Sequence, residues 1–333
     1  MREIKLSTEV AITPSDWKMD HHSKILTVGS CFAEVLGTQL EGYKFDVLNN
    51  PLGTIFNPLT ICKTLDLALD ERGPAPELFL KTPDDIWLHH DFHSSIWSNS
   101  RKDLEVQLSG KLENLRAFIT EADVLVITLG TAYGYRHKAT NMVIGNCHKL
   151  PAEHFIRELL HPDQISMAME QLIQKLLMFR RNLRVVLTIS PVRHTKDTLP
   201  LNQVSKSTLR LACHRLAEKY KHITYFPSYE IMIDELRDYR FYKSDLIHPN
   251  ELAEEHIFQI FARSFISQGS VELMEEWDKI LSTINHRPLH GFTKSHLKFL
   301  KSVWSKLNEI SRKMNVADEM EEIERRIGEF PVL

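Results

Sequence analysis

Short runs of β-branched and aliphatic residues alternate along this chain with stretches whose apolar positions recur every three or four residues. Lys24–Gly29 (KILTVG) reads as a buried strand and is followed by a helical pattern from Phe32 to Glu41. Phe45–Leu48 is a weaker second strand. Ala122–Leu129 (ADVLVITL) and Leu183–Ile189 (LRVVLTI) are the strongest, and a short last strand, Ile223–Phe226, ends at Pro227. The periodicity between them predicts helices over Leu59–Asp70, Lys102–Thr120, Pro162–Arg181 and Val204–Tyr220, with Asn250–Phe265 after the last strand. Strands alternating with helices imply right-handed crossovers, and near-continuous apolar strands imply a sheet covered on both faces. The expected fold class is α/β: a three-layer α/β/α sandwich on a mostly parallel, flavodoxin-like sheet.

Two segments interrupt this rhythm. Residues 76–101 hold a Pro83-Asp84-Asp85 turn signal, a Trp-containing strand-like run and a histidine-rich stretch. Residues 133–148 read as a hairpin, Tyr133–His137 and Met142–Cys147 around a Lys138–Asn141 turn. Beyond residue 268 the strand signals stop. Leu297, Leu300, Trp304, Leu307 and Ile310 mark an amphipathic helix, and Ala317–Ile327 a second one dense in Glu and Arg. The expected division is an α/β domain over 1–268 and a C-terminal helical appendage over 269–333. The appendage is expected to pack on the main domain, with self-association through its helices as the other use of that surface.

Apolar residues make up 43% and charged residues 26% of the 333, ordinary for a globular chain. With 41 Lys+Arg against 44 Asp+Glu the net charge is −3, which gives no support to a nucleic-acid or anionic-membrane partner. Cys31, Cys62, Cys147 and Cys213 are widely spaced with no CxxC pair, which argues against a disulfide scaffold or structural zinc and suits a reducing compartment. Met1-Arg2-Glu3-Ile4-Lys5 leads into no apolar stretch, and no run reaches the ~20 apolar residues of a membrane helix. A cytoplasmic protein is expected.

Gly29-Ser30-Cys31-Phe32-Ala33 lies where the first strand turns into a helix, the edge at which open α/β sheets bind ligands. A serine there is either a helix N-cap or a nucleophile. Asp245 and His248, three apart in Ser244-Asp245-Leu246-Ile247-His248-Pro249-Asn250, offer an imidazole and the carboxylate that orients it. Ser30, His248 and Asp245 together supply nucleophile, base and orienting acid. Cys31 is a weaker candidate nucleophile, because the next residue along the turn is expected to point elsewhere. Gly130, after the strongest strand, is expected beside Ser30, and Gly53 is placed to offer a backbone N–H to an oxyanion alongside Ser30 N–H.

These motifs carry a resemblance. The GSCFA run at 29–33 resembles the signature of the GSCFA domain family, which is similar to the SGNH/GDSL hydrolase superfamily. The resemblance extends to Pro51–Pro58, Thr128–Thr131, Asn146–Lys149, Ser190–His194, Asp245–Pro249 and His286-Arg287-Pro288. It implies an SGNH-type sheet with Ser30 as nucleophile, Gly53 as an oxyanion glycine, and Asp245 with His248 as the closing dyad. Two positions depart from the superfamily: Gly29 replaces the Asp of GDS, and Ala132 stands where the GxND block has its oxyanion Asn. Losing such a donor typically costs about 10²–10³ in rate, so a substitute is expected from Thr131, Asn146 or His148.

His194, with Asp197 as its partner, is expected within reach of the cleft, and Asn57 and His93 complete the candidate binding residues. His89-His90-Asp91-Phe92-His93 has metal-ligand chemistry but lacks a second ligand pair, so it is expected to rim the cleft rather than bind a metal. The implied function is serine-dependent ester hydrolysis or acyl transfer on a small-molecule or carbohydrate acyl or acetyl ester, without metal or organic cofactor. The rival is a catalytically weak binding protein that keeps the same pocket.

Overall fold

The structure is a computed structural model that describes residues 8–12, 15–284 and 293–330. Met1–Lys5 and His286-Arg287-Pro288 lie outside the described residues. The chain runs β1 (Lys24–Gly29), α1 (Cys31–Gly42), β2 (Asp46–Asn49), α2 (Pro58–Leu69), β3 (Phe79–Lys81), β4 (Trp87–His89), α3 (Arg101–Glu121) and β5 (Val124–Leu129). It continues with β6 (Tyr133–His137), β7 (Met142–Ile144), β8 (Phe155–Leu159), α4 (Pro162–Phe179), β9 (Arg184–Ile189), α5 (Leu199–Lys219) and β10 (Ile223–Phe226). The short α6 (Ser228–Glu230) precedes α7 (Glu251–Phe265), and α8 (Gln268–Ile284), α9 (Lys294–Ile310) and α10 (Ala317–Gly328) follow.

The central sheet has the order β10-β9-β5-β1-β2, all parallel. By sequence order of these strands that is 5-4-3-1-2, the flavodoxin-like arrangement the sequence predicts. Alternate residues of each strand enter two different cores. Leu26, Val28, Leu125 and Leu187 join the face covered by α2 to α5. Ile25, Val124, Val126 and Val186 join the face covered by α1 and α7. The chain leaves β1 toward one face and β5 toward the other, so the switch point falls between Gly29 and Gly130.

The two insertions form small sheets of their own, a β3–β4 ribbon and a three-stranded β7-β6-β8 sheet. The hairpin is there, but β7 stops at Ile144, and β8 adds a strand the sequence pattern does not signal. The helices α8, α9 and α10 share a separate core around Trp277, Leu300, Leu307 and Ile323. They grip the turn after α1: Trp277 Nε1 donates to Gly42 O at 2.9 Å, Tyr43 Oη to Asp278 at 3.2 Å, and Lys44 pairs with Glu319. Among the described residues no helix is long and apolar enough to cross a membrane.

β1 and β5 approach most closely at Gly29, where φ is +128° and a Cβ would lie 2.1 Å from the Thr128 carbonyl oxygen. Gly29→Ala is therefore expected to destabilise the protein by about 3 kcal/mol or more, combining backbone strain with a clash against main chain. A thermal melt shows this as a drop in Tm, whereas Gly73→Ala, with nothing near its Cβ position, should barely move it.

Candidate active site

The same contact explains the first departure from the superfamily pattern. No side chain fits at position 29, so the Asp of GDS has no place there. Ser30 follows as the N-cap residue of α1, yet its hydroxyl caps nothing. It is 0% exposed and its Oγ has no hydrogen-bond partner. A buried hydroxyl left unpaired is costly, and in native proteins such atoms call for an explanation.

Asp245 and His248 form a pair. His248 Nδ1 lies 2.7 Å from Asp245 Oδ2, while Asp245 Oδ1 accepts from the backbone N–H groups of Ile247 and His248 at 2.9 and 3.0 Å. Those main-chain bonds, then the imidazole, hold the Asp245 carboxyl down to about 2. The carboxylate thus stays ionised and favours the Nδ1–H tautomer, leaving Nε2 as the basic nitrogen. The half-exposed His248 ring lines a cavity of about 400 Å³ together with Cys31, Phe32, Val192 and Pro249.

Ser30 and His248 thus reach the same edge of the sheet, but no hydrogen bond joins Ser30 Oγ to the imidazole. Cys31 corrects a second expectation: it does not turn away but shares the His248 cavity. Burial pushes its thiol pKa up, against a smaller opposing pull from Lys206, so it is no resting thiolate.

The backbone donors expected for an oxyanion are both engaged. Ser30 N–H donates to Thr128 O at 2.9 Å and Gly53 N–H to Asn50 O at 2.8 Å. Residues 50–57 are laid across the ends of β1 and β5: Ile55 N–H donates to Gly29 O at 2.8 Å, and Gly130 and Thr131 N–H to Phe56 O at 2.9 and 3.1 Å. This segment roofs the switch point.

Residues 24–261 match the GSCFA family, and residues 277–329 match the family described as GSCFA domain protein, C-terminal domain. The chain belongs to the GSCFA family. No curated protein matches it. One solved structure with similarity is a Corynascus thermopiles (Myceliophthora fergusii) carbohydrate esterase family 2 enzyme plus carbohydrate binding domain. It is 14% identical, with TM-score 0.36, over 80% of this chain and 69% of that one.

In this GSCFA chain most of the other candidate donors are internal struts. Thr131 Oγ1 pairs with Ser205 Oγ at 2.9 Å. Asn57 caps α2, accepting from Thr60 N–H at 2.9 Å, and gives Nδ2 to Ile144 O at 3.0 Å. The Asn146 side chain accepts from His148 N–H and donates to Ser94, and the His148 ring lies between Ser94 Oγ and His89 O. Thr131, Asn146 and His148 are thus each engaged within the protein, and Asn146 and His148 tie the two insertions to each other beside a small core of Leu78, Ile144 and Phe155. Ala132 is itself buried in the apolar core, its N–H donating to Ser205 Oγ at 2.7 Å.

His93 packs over Gly53, its Cβ 2.5 Å from where a Gly53 Cβ would be. The rest of its run does not rim the cleft. His89 and His90 are buried, bonding Ala75 O and Asn146 O at 3.1 and 2.8 Å, and burial lowers their pKa to about 3 and about 4. Asp91 pairs with Lys63. Among the described residues no three His, Cys, Asp or Glu are grouped to hold a metal.

His194 reaches the edge of the sheet, packed edge-on against Phe56 at 5.5 Å, with Nε2 buried and unpaired. Burial, then the nearby charges of Lys206 and His248, lower its pKa to about 3, so the ring is neutral. Asp197 does not serve it, pairing instead with Arg157.

Two residues escape the sequence reading. Asn50, only 7% exposed, accepts from Gly29 N–H at 3.1 Å through Oδ1 and leaves Nδ2 buried without a partner. Its φ of 42° is one that Asn tolerates better than most residues, the signal available in Asn50-Pro51. Lys206, 1% exposed, donates to Gly130 O at 2.8 Å and Ser190 O at 2.7 Å, joining the ends of β5 and β9. Its place on the buried stripe Asn202, Lys206, Leu209, Cys213 of α5 is the pattern that could have found it.

Burial lowers the Lys206 pKa to about 7. The unfolded chain, with an ordinary lysine near 10.4, therefore binds more protons between those values, and folding stability gains up to about 1.4 kcal/mol per pH unit as pH rises through that window. Below about 7 both states are protonated and the dependence vanishes. Urea unfolding of the native chain and Lys206→Met at pH 7 and 9 should show a stability difference between the two proteins that shifts in favour of the native chain at the higher pH.

Proposed function

We propose that the chain is a serine-dependent ester hydrolase or acyltransferase of SGNH type. Ser30 is its nucleophile, His248 its base and Asp245 the carboxylate that steadies the imidazolium. The observation that carries the reading is the 2.7 Å Asp245–His248 pair, whose imidazole lines a cavity shared with the residue next to Ser30. His248 Nε2 takes the Ser30 Oγ proton as Oγ bonds to the ester carbonyl carbon and the carbonyl electron pair moves onto oxygen. The tetrahedral species collapses, the alcohol leaves with the proton from His248, and water or a second hydroxyl repeats the sequence to release the acyl group. Small acyl groups such as acetyl, carried by a carbohydrate hydroxyl, are the substrate class the family resemblance favours.

For the oxyanion, the reading uses two of the buried, unpaired groups at this edge. Asn50 Nδ2 takes the place of the side-chain amide lost at Ala132, and neutral His194, as the Nε2–H tautomer, adds a second donor. The reaction requires the Ser30 hydroxyl to turn toward the His248 cavity. A second reading makes Cys31 the acyl acceptor, favoured by its place in the His248 cavity.

Activity-based labelling separates them. A fluorophosphonate should label the native chain and not Ser30→Ala or His248→Ala, whereas Cys31→Ser should label normally. Loss of acylation in Cys31→Ser alone would move the nucleophile to the thiol, and no labelling of any form would leave a binding protein. On an acyl-ester substrate, His248→Ala should lower kcat about 10²–10⁴-fold. Asn50→Asp keeps the acceptor for Gly29 N–H and removes the Nδ2 donor. It should lower kcat about 10²–10³-fold with KM little changed, and lower Tm as well, because it buries an unpaired carboxylate.

A further inference from the structure

The loop that carries His248 has a cavity on each side. Tyr242 and Pro249 form a bridge across its base. Pro249 lines the His248 cavity, while Tyr242 lines a second cavity of about 280 Å³ on the other side, with Arg193, Tyr229, Arg237 and Tyr239. The two share their wall: Arg193 N–H donates to Ile247 O at 3.3 Å, and Asn202, which lines the second cavity, accepts from His194 N–H at 2.9 Å.

Arg193 is the unusual group in this cavity. Its guanidinium lies 3.9 Å from the Tyr242 ring centroid and 5.3 Å from that of Tyr239, and its Nε donates to Tyr242 Oη at 3.0 Å. Among the described residues neither of its Nη groups has an acceptor, and neither Arg193 nor Arg237 has a carboxylate partner. A half-buried guanidinium stacked on aromatics, with its outer fork free, is the geometry that receives a carboxylate or phosphate bidentately. Asp238, the carboxylate on the wall, is turned to cap a short turn through the Arg240 N–H at 2.8 Å. Stacked or tilted tyrosines beside such a fork offer faces for a polar ring, and the volume admits one ring with its substituent rather than a chain.

We propose that this second cavity binds an acidic sugar unit, a single ring bearing a carboxylate or phosphate, with Arg193 as the principal anion ligand and Arg237 as its outer partner. The inference rests on the hydrolase reading only for its use, which is to present the ester-bearing neighbour of that ring to His248 across the shared wall. The binding itself does not.

Calorimetric titration of the full chain tests it with two matched pairs: 4-nitrophenyl β-D-glucuronide against the glucoside, and glucose 6-phosphate against glucose. At least one acidic member should bind about tenfold or more tighter than its neutral counterpart. Which pair shows the preference separates carboxylate from phosphate. Arg193→Met should bring the two members to parity. Should that variant fold poorly, the exposed Arg237→Met should cut the preference several-fold. Equal binding within both pairs, or a preference that survives both substitutions, overturns the proposal. If the preference holds while fluorophosphonate labelling fails, the hydrolase reading falls and the anion site stands.

Discussion

At Gly29 the backbone of β1 comes so close to the Thr128 carbonyl that no Cβ can be accommodated, and the rest of the active edge is built on this contact. It brings Ser30 N–H onto Thr128 O, sets Ser30 at the mouth of α1, and leaves Gly29 N–H pointing at Asn50. Ile55 then closes on Gly29 O. One missing side chain therefore bears on the course of three segments, and the Asp that precedes serine in the GDS motif is incompatible with it. What reads in the sequence as a weakened motif is a steric requirement of this sheet.

The polar groups at this edge divide into those that hold the backbone and those that hold nothing. Thr131, Asn57, Asn146 and His148 are saturated by main chain and neighbouring hydroxyls. Ser30 Oγ, Asn50 Nδ2 and His194 Nε2 are buried without partners. A fold tolerates unpaired buried polar atoms only at a cost of about 1–3 kcal/mol each, and Thr128 Oγ1, beside Gly29 on β5, is a fourth. Lys206 supplies the counterpart, a buried amine whose bonds to Gly130 O and Ser190 O join the two neighbouring strand ends.

Much of the architecture is legible in the sequence because burial on both faces leaves a plain mark. DVLVITL and LRVVLTI have no polar face and can only be interior strands. β8 left no such mark: in Phe155–Leu159, Ile156 and Leu159 are exposed and Arg157 intervenes, so its pairing with β6 comes from tertiary context. The start of α5 is set by Thr198, the cap that ends a loop-like Lys-Asp-Thr run, and by Pro200 in the first turn. At the proposed site, residue type and position are what single out Ser30, Asp245 and His248, since a nucleophile needs a base and the base an orienting acid. The backbone donors could not be assessed that way. Whether an N–H is free depends on the path of a distant loop, here residues 50–57, and periodicity carries no information about that path.

The twelve-residue helix α1 is fastened at both ends. Its N-terminus is tied to β5 through Ser30 and Thr128. The turn beyond its C-terminus is held by Trp277, Asp278 and Glu319 from the C-terminal helices. The C-terminal helices thereby touch the far end of the same helix whose first turn carries Cys31 and Phe32 into the His248 cavity.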